Sequence, residues 1–398
     1  MSVSKSGLAY ASSLLLFMMM ATSLNAQHDK EHYFALPAQQ GDVIESEDQR
    51  FYLQTVVEGL ANPWAMAFLP NGNVLVTERD TGNLRMVVDG ELQSESISGV
   101  PEVYNRNQGG LLDVALHPDF ESNNMVYLAL SVQEGGLPGM RTATTIIGRG
   151  ELNGFSLDNF ETIFSGEPTS RAPFHFGSRI VFDADGYLYF AIGDRGEMEN
   201  AQKPENHAGK VMRIYDDGRV PSDNPFASQR NAKPELFTLG NRNIQGMVVH
   251  PGTGEVWANE HGPRGGDEIN IIRSGLNYGW PKITHGVNYD GSTITSDTAA
   301  AGLEQPLHHW TPSIAPSGMA IVYDSELYPN WNGSVFNGAL AGQHLNRIVV
   351  DMENERSVHE ERLLSGLARI RDVRVAPDGF LYILEESNGR IMRLVPAE

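Results

Sequence analysis

From residue 51 onward the chain is built of short runs in which apolar and polar positions alternate, each run closed by a polar turn. That period of two is the pattern of strands with one buried face. Six of the runs follow one plan. Trp64-Ala65-Met66-Ala67-Phe68 passes through Pro70-Asn71-Gly72 to Val74-Leu75-Val76, and Leu112-Asp113-Val114-Ala115-Leu116 passes through Pro118-Asp119 to Met125-Val126-Tyr127. Ile180-Val181-Phe182 crosses Asp185-Gly186 to Leu188-Tyr189-Phe190, and Met247-Val248-Val249 crosses Gly252 to Val256-Trp257-Ala258. Met319-Ala320-Ile321 precedes Asn332-Gly333 and Val335-Phe336, and Val373-Arg374-Val375 turns at Asp378-Gly379 into Leu381-Tyr382-Ile383. These are hairpin turns. Most copies continue into a further strand, as at residues 82–88 and 389–394.

A unit of two to four strands cannot bury both faces alone, so the copies must pack on one another. Six of them predict an all-β fold, a six-bladed β-propeller with four-stranded blades around a central channel. A large β-sandwich is the competing arrangement. Helical periodicity is nearly absent, and one short helical turn is expected within residues 200–213. The expected organisation is a signal peptide over residues 1–26, a polar lead-in over 27–50, and one propeller catalytic domain over 51–398.

The N-terminus bears on compartment. Lys5 stands before an almost wholly apolar run at residues 8–21, and Ala26 precedes a polar stretch. This is the form of a cleavable secretory signal peptide, with cleavage near Ala26 and a periplasmic or secreted product. An uncleaved anchor is the other reading, for which the run is short. The 398 residues carry a formal net charge of −21, which opposes nucleic-acid or anionic-membrane partners. No cysteine is present, so disulfides, thiolate metal sites and cysteine nucleophiles are excluded.

The candidate chemistry is densest between residues 239 and 281, where Arg, Asn, His, Asp and Glu sit in glycine-rich turns that let backbone approach a ligand. His175 lies in a loop just before a strand, and Asp194 ends the strand that pairs with it. The hairpin between them returns the carboxylate toward the imidazole. On the residues alone, a surface histidine and a turn-capping aspartate are the favoured reading.

Six segments in order are NQGGLLDVALHPDF (107–120), HFGSRIVFDADGYLYFAIGDRG (175–196), GNRNIQG (240–246), EHGPRGGDEIN with LNYGWP (260–270, 276–281), WTPSIAPSGM (310–319) and RIRDVRVAPDG (369–379). With them the chain resembles the soluble PQQ-dependent aldose dehydrogenases, the glucose/sorbosone dehydrogenase-like six-bladed propellers, over about residues 60–394. The resemblance implies oxidation of an aldose C1 hydroxyl to a lactone. His175 would be the proton acceptor and Asp194 its orienting partner. It also implies PQQ, a flat quinone with three carboxylates, held by Arg242, Arg369 and Arg371, with Asn243 and Gln108 beside it. A Ca²⁺ ion on the Gly262 and Pro263 carbonyls would polarise the quinone. A second, structural Ca²⁺ would use Glu268 and the backbone oxygen of Tyr278. Trp310, Trp280 and Phe176 are candidates for stacking on a cofactor or sugar. The implied partners are a small-molecule sugar and an unidentified electron acceptor, without stable membrane insertion. One departure stands out: a family lysine near the cofactor corresponds here to Ala341. The alternatives are a Ca²⁺-dependent propeller hydrolase such as a lactonase, and a non-catalytic binding propeller.

Overall fold

Six sheets stand in a ring. The structure, a computed structural model, describes residues 41–135 and 140–397; the expected signal peptide and the lead-in as far as residue 40 lie outside the described residues. Blade 1 holds Pro63–Phe68, Val74–Glu78, Asn83–Val88 and Glu91–Ile97. Blade 2 holds Leu111–Leu116, Met125–Gln133, Ala143–Asn153 and Ser156–Ser165. Blade 3 has Ile180–Phe182, Leu188–Ile192 and Lys210–Ile214. Blade 4 has Ile244–Val249, Val256–Glu260, Asp267–Ile272 and His308–Trp310. Blade 5 has Pro316–Ile321, Val335–Ala339, His344–Asp351 and Arg356–Leu363. Blade 6 has Ile370–Val375, Leu381–Glu385 and Arg390–Pro396, and it is completed by Arg50–Val57 and Ile44–Glu45.

The six repeated runs of the sequence are the inner two strands of these blades. Blade 3 departs from four strands: its place for a fourth is taken by an isolated bridge from Met212 to Leu236. The segment after Ile214 is rich in Pro, Asn and Asp, which disfavour a regular ladder. The helical turn lies at Met198–Gln202, and the later part of the expected helical region is strand instead.

Six apolar clusters fill the gaps between neighbouring blades, from blades 1 and 2 round to blades 6 and 1. Each sheet thus buries both faces against its neighbours, which a lone hairpin unit cannot do. Blade 6 closes the ring by pairing both chain ends, with Leu53 opposite Leu394 and Phe51 opposite Pro396.

The innermost strands share one irregularity. Register slips at Pro63/Ala65, Leu111/Val114, Ile244/Gly246, Pro316/Met319 and Ile370/Asp372 mark the same end of five blades. A bulge re-aims the side chains around it. In blade 6 it lets Arg371 face the ring's mouth while Asp372 joins the axis.

On the axis, Arg179 bonds Asp113 at 3.0 Å and Asp372 at 3.1 Å, and Arg374 reaches the same two carboxylates at 3.3 and 3.0 Å. Among the described residues no helix is long and apolar enough to cross a membrane.

Ring closure yields a direct check. Phe51 is fully buried and meets the Trp331 ring edge-on at 5.6 Å. Phe51→Ala is expected to cost about 3–5 kcal/mol by denaturant titration, and an unchanged midpoint would contradict closure through this strand.

Candidate active site

The loop that carries His175 has no ladder to hold it, and its backbone is left-handed at His175 (φ 58°), Gly177 (φ 67°) and Ser178 (φ 97°). For a residue with a Cβ this costs about 1–2 kcal/mol, so surrounding bonds must fix it. Gln108 Oε1 accepts the His175 N–H at 2.8 Å, and the Gln108 N–H bonds the Pro173 carbonyl at 3.0 Å. Arg195 lies 3.6 Å over the Phe176 ring and donates to the carbonyls of Phe174 and Ala172. Glycine is required at 193, where a Cβ would sit 2.5 Å from the His175 carbonyl oxygen.

These restraints bring the imidazole onto Asp194, with His175 Nδ1 and Asp194 Oδ1 2.6 Å apart. The Gly196 N–H also reaches Oδ1 at 2.8 Å, and the Trp280 indole N–H holds Oδ2 at 2.9 Å. Burial works to raise the Asp194 pKa, but the bonds from His175 and Gly196 and the nearby charge of Arg242 outweigh it and hold the group below the usual carboxylate range. An ionised carboxylate only accepts, so Nδ1 carries the proton and Nε2 is left as the ring's acceptor. Burial pushes the His175 pKa down and the Asp194 bond only partly restores it, with Arg242 and Arg195 also lowering it. The neutral ring is therefore the resting form at neutral pH.

Next to this dyad is a cavity of about 380 Å³ walled by Gln108, Gln245, His261, Arg369, Arg371 and Glu386, among others. Three guanidiniums surround the Glu386 carboxylate: Arg371 at 3.0 Å, Arg369 at 3.4 Å and Arg79 at 3.5 Å. Arg371 is pulled down to about 10 by burial, against the Glu386 pairing and with Arg79 and Arg369 adding to the fall. Burial and its two cationic neighbours together outweigh the one carboxylate that Arg371 pairs with. His261 is pushed to about 3 by burial and then by Arg242, Arg371 and His175, so all three act on one imidazole. Arg242 donates to the carbonyls of His261 (2.9 Å) and Gly262 (2.8 Å) and lies 5.2 Å from the Trp280 ring centre. Arg242 Nε and Asn243 Nδ2 are buried donors without a partner among the described residues.

A larger cavity, about 640 Å³, opens at the other end of the innermost strands, along Met319–Val322 and Arg374-Val375. Its arginine is already paired with Asp113 and Asp372, so it offers no spare charge.

Glu260 and Glu268 are cross-strand partners in blade 4. Asn270 Nδ2 bonds both carboxylates, at 3.1 and 3.2 Å, and Asn270 Oδ1 is buried and unbonded. Like charges directly opposite repel. Glu268 is pushed up to about 8 by burial, then by Glu260 and Asp267. The pair wants a proton or a cation. The Tyr278 hydroxyl donates to the Ile271 carbonyl at 2.6 Å and accepts the Arg273 N–H at 2.8 Å, so it points away from this pair.

A family model described as Glucose / Sorbosone dehydrogenase matches residues 60–393. The chain belongs to the glucose/sorbosone dehydrogenase family. It is 41% identical over 352 residues to the aldose sugar dehydrogenase YliI of Escherichia coli, covering 86% of this chain and 92% of that one. The apo crystal structure of the soluble aldose sugar dehydrogenase of Escherichia coli superposes with a TM-score of 0.82 at 40% identity, over 87% of this chain and all (100%) of that one. The PQQ-bound aldose sugar dehydrogenase of Streptomyces coelicolor gives 0.70 at 28% identity, over 87% and 98%.

Of the family positions read from the sequence, Gln108, Arg369 and Arg371 line one cavity, and His175, Asp194, Arg242 and Asn243 form its flank. Trp310 is a correction. It lies on the outermost strand of blade 4, buried among Trp257, Ile269 and Met319, so it meets core and not the cavity. Phe176 does line the cavity, and Trp280 serves Asp194. Arg79, Glu386, Gln245, His261 and Glu260 went unassigned in the sequence. His261 and Gln245 sit inside recognised segments, whereas Arg79 and Glu386 read as ordinary turn residues.

By NMR, the His175 ring is expected to titrate below about 6.5. Asp194→Asn should lower the midpoint further, since it removes the interaction that raises it. A midpoint above that value contradicts the electrostatics.

Proposed function

We propose that this chain is a PQQ- and Ca²⁺-dependent aldose dehydrogenase that oxidises the C1 hydroxyl of a sugar to the lactone. The observation that carries the reading is the His175–Asp194 dyad beside a cavity whose guanidiniums outnumber its carboxylates. A tricarboxylate answers that imbalance, because guanidiniums bind carboxylates through paired, charge-assisted bonds. The unpartnered Arg242 Nε and Asn243 Nδ2 are further donors for it. Bound there, PQQ would supply the two-electron acceptor for the C1 hydride. The Pro263 carbonyl accepts no hydrogen bond among the described residues, and Gly262 keeps one lone pair beyond Arg242. Both are open to a hard cation.

His175 Nε2 takes the hydroxyl proton as the C1–H bond gives up its hydride and the C1–O bond becomes a carbonyl. Asp194 stabilises the imidazolium that forms, and Trp280 anchors the carboxylate through its other oxygen. Gln108 and Arg195 hold the loop so that the ring does not swing away. The acceptor that takes the electrons onward is a separate partner, and residues 1–26 would export the chain to the compartment where it is met. The hydrolase alternative needs free carboxylates in the channel, yet Asp113 and Asp372 are each ion-paired with both Arg179 and Arg374.

Apoprotein reconstituted with PQQ and Ca²⁺ should reduce a redox dye with aldoses. His175→Ala should lower turnover about 10²–10⁴-fold; an undiminished rate in that variant would sink the assignment. The acid pair gives a second check. The folded Glu268 pKa of about 8 lies above the unfolded value of about 4.3. Its stabilising share is therefore present below the unfolded pKa and is lost as pH rises through the folded one. In chelator the Tm is expected to fall across that window. Ca²⁺ should restore it near the upper end, and Glu268→Gln should flatten both responses. A Ca²⁺ gain that survives Glu268→Gln places the ion elsewhere.

A further inference from the structure

We infer that Arg79 is a further cofactor-binding residue, which supplies from blade 1 the cation that Ala341 does not supply from blade 5. The inference rests on the PQQ reading above.

Arg79 follows the second strand of blade 1 and lines the same cavity as Gln108, Arg369 and Arg371. Blade 6, which carries Arg369, Arg371 and Glu386, stands between blades 5 and 1 in the ring. On the blade 5 side, Leu340 lines the cavity and its carbonyl accepts Arg369 Nη1 at 3.3 Å. Ala341 comes next, exposed and without a charge. On the blade 1 side is the Arg79 guanidinium, with 16% of its side chain exposed.

The chain is shaped to aim it. Gly110 has φ +144°, and a Cβ there would lie 2.1 Å from the Arg79 carbonyl oxygen and 2.7 Å from Arg79 Cγ. The Leu111 N–H bonds that carbonyl at 3.1 Å. The stem thus runs through a gap that only glycine leaves open.

The charge of Arg79 is not used up where it stands. Its Nε bonds Asp80 at 2.8 Å, but Asp80 is 45% exposed and its charge is screened by water. Its Nη1 contact to Glu386, at 3.5 Å, is the longest of the three guanidinium contacts there. Its Nη2 has no hydrogen bond among the described residues. A ligand with several carboxylates could engage Arg79 by releasing one weak contact. Glu386 would keep Arg371, its nearest partner, throughout.

The test is a titration of the apoprotein with PQQ in the presence of Ca²⁺, read as quinone absorbance and as quenching of Trp64, which lines the cavity. Arg79→Gln should raise Kd about tenfold to a hundredfold, the value of one charge-assisted bond. Adding Ala341→Lys to Arg79→Gln should recover most of that loss, since it returns a cation from the other flank. An Arg79→Gln affinity within about twofold of the unsubstituted chain overturns this inference and leaves the PQQ reading standing. So does a loss that Ala341→Lys cannot recover in a variant whose Tm is unchanged, because Arg79 would then act only by placing Glu386. Failure of the unsubstituted chain to bind PQQ overturns both. If Arg79→Gln does not fold, Arg79→Lys replaces it: the charge stays but the paired donors are lost, so Kd should rise about threefold to tenfold, and an unchanged Kd overturns the inference.

Discussion

The ring depends on four charged side chains at its axis. Asp113 of blade 2, Arg179 before blade 3, and Asp372 and Arg374 of blade 6 form a closed network with two charges of each sign. Backbone groups tie other blades to it. The Ile180 N–H reaches Asp113, the Met66 N–H reaches Asp372, and Arg179 Nε reaches the Gln245 carbonyl. Arg179 also lies 4.3 Å over the Trp64 ring. Buried charges are tolerable only when paired in this way. The network fills the channel and floors the cavity above it, and so decides which end of the propeller is open to chemistry.

Above that floor the charge balance is deliberately incomplete. At the axis each carboxylate has two arginines and each arginine two carboxylates. One layer up, three arginines share Glu386. The contrast explains why the lower cavity, although larger, is chemically quiet. It also explains why His175 and His261 are both held neutral: burial and nearby guanidiniums act on them together, and only His175 has a carboxylate in opposition. A neutral imidazole with one nitrogen committed is a base awaiting a proton, and a neutral His261 adds no further cation to the cavity.

The repeat was readable because hairpin turns and period-two runs are local. Trp64, Leu112, Ile180, Met247, Met319 and Val373 announce the inner strands within a few residues of chain. Blade 3 shows where such reading stops, since its irregular outer edge is set by the long segment after Ile214. The dyad was foreshadowed by one hairpin joining His175 to Asp194, and the arginines in and beside the cavity by family resemblance alone. Glu260 needed the cross-strand register to be seen as the partner of Glu268. Arg79 and Glu386 are 307 positions apart and meet only because the ring closes. Trp310 misled because an aromatic residue beside a polar motif looks the same in sequence whether its strand is the innermost or the outermost.

The central claim is that an under-neutralised cavity beside His175 is where a flat tricarboxylate sits. A crystal structure of the protein soaked with PQQ and Ca²⁺ tests it most directly. The account predicts planar density in the cavity between Gln108 and Arg371, with carboxylates on the guanidiniums and the quinone edge toward His175. Density at the opposite end of the propeller, or an empty cavity under saturating PQQ, would contradict it.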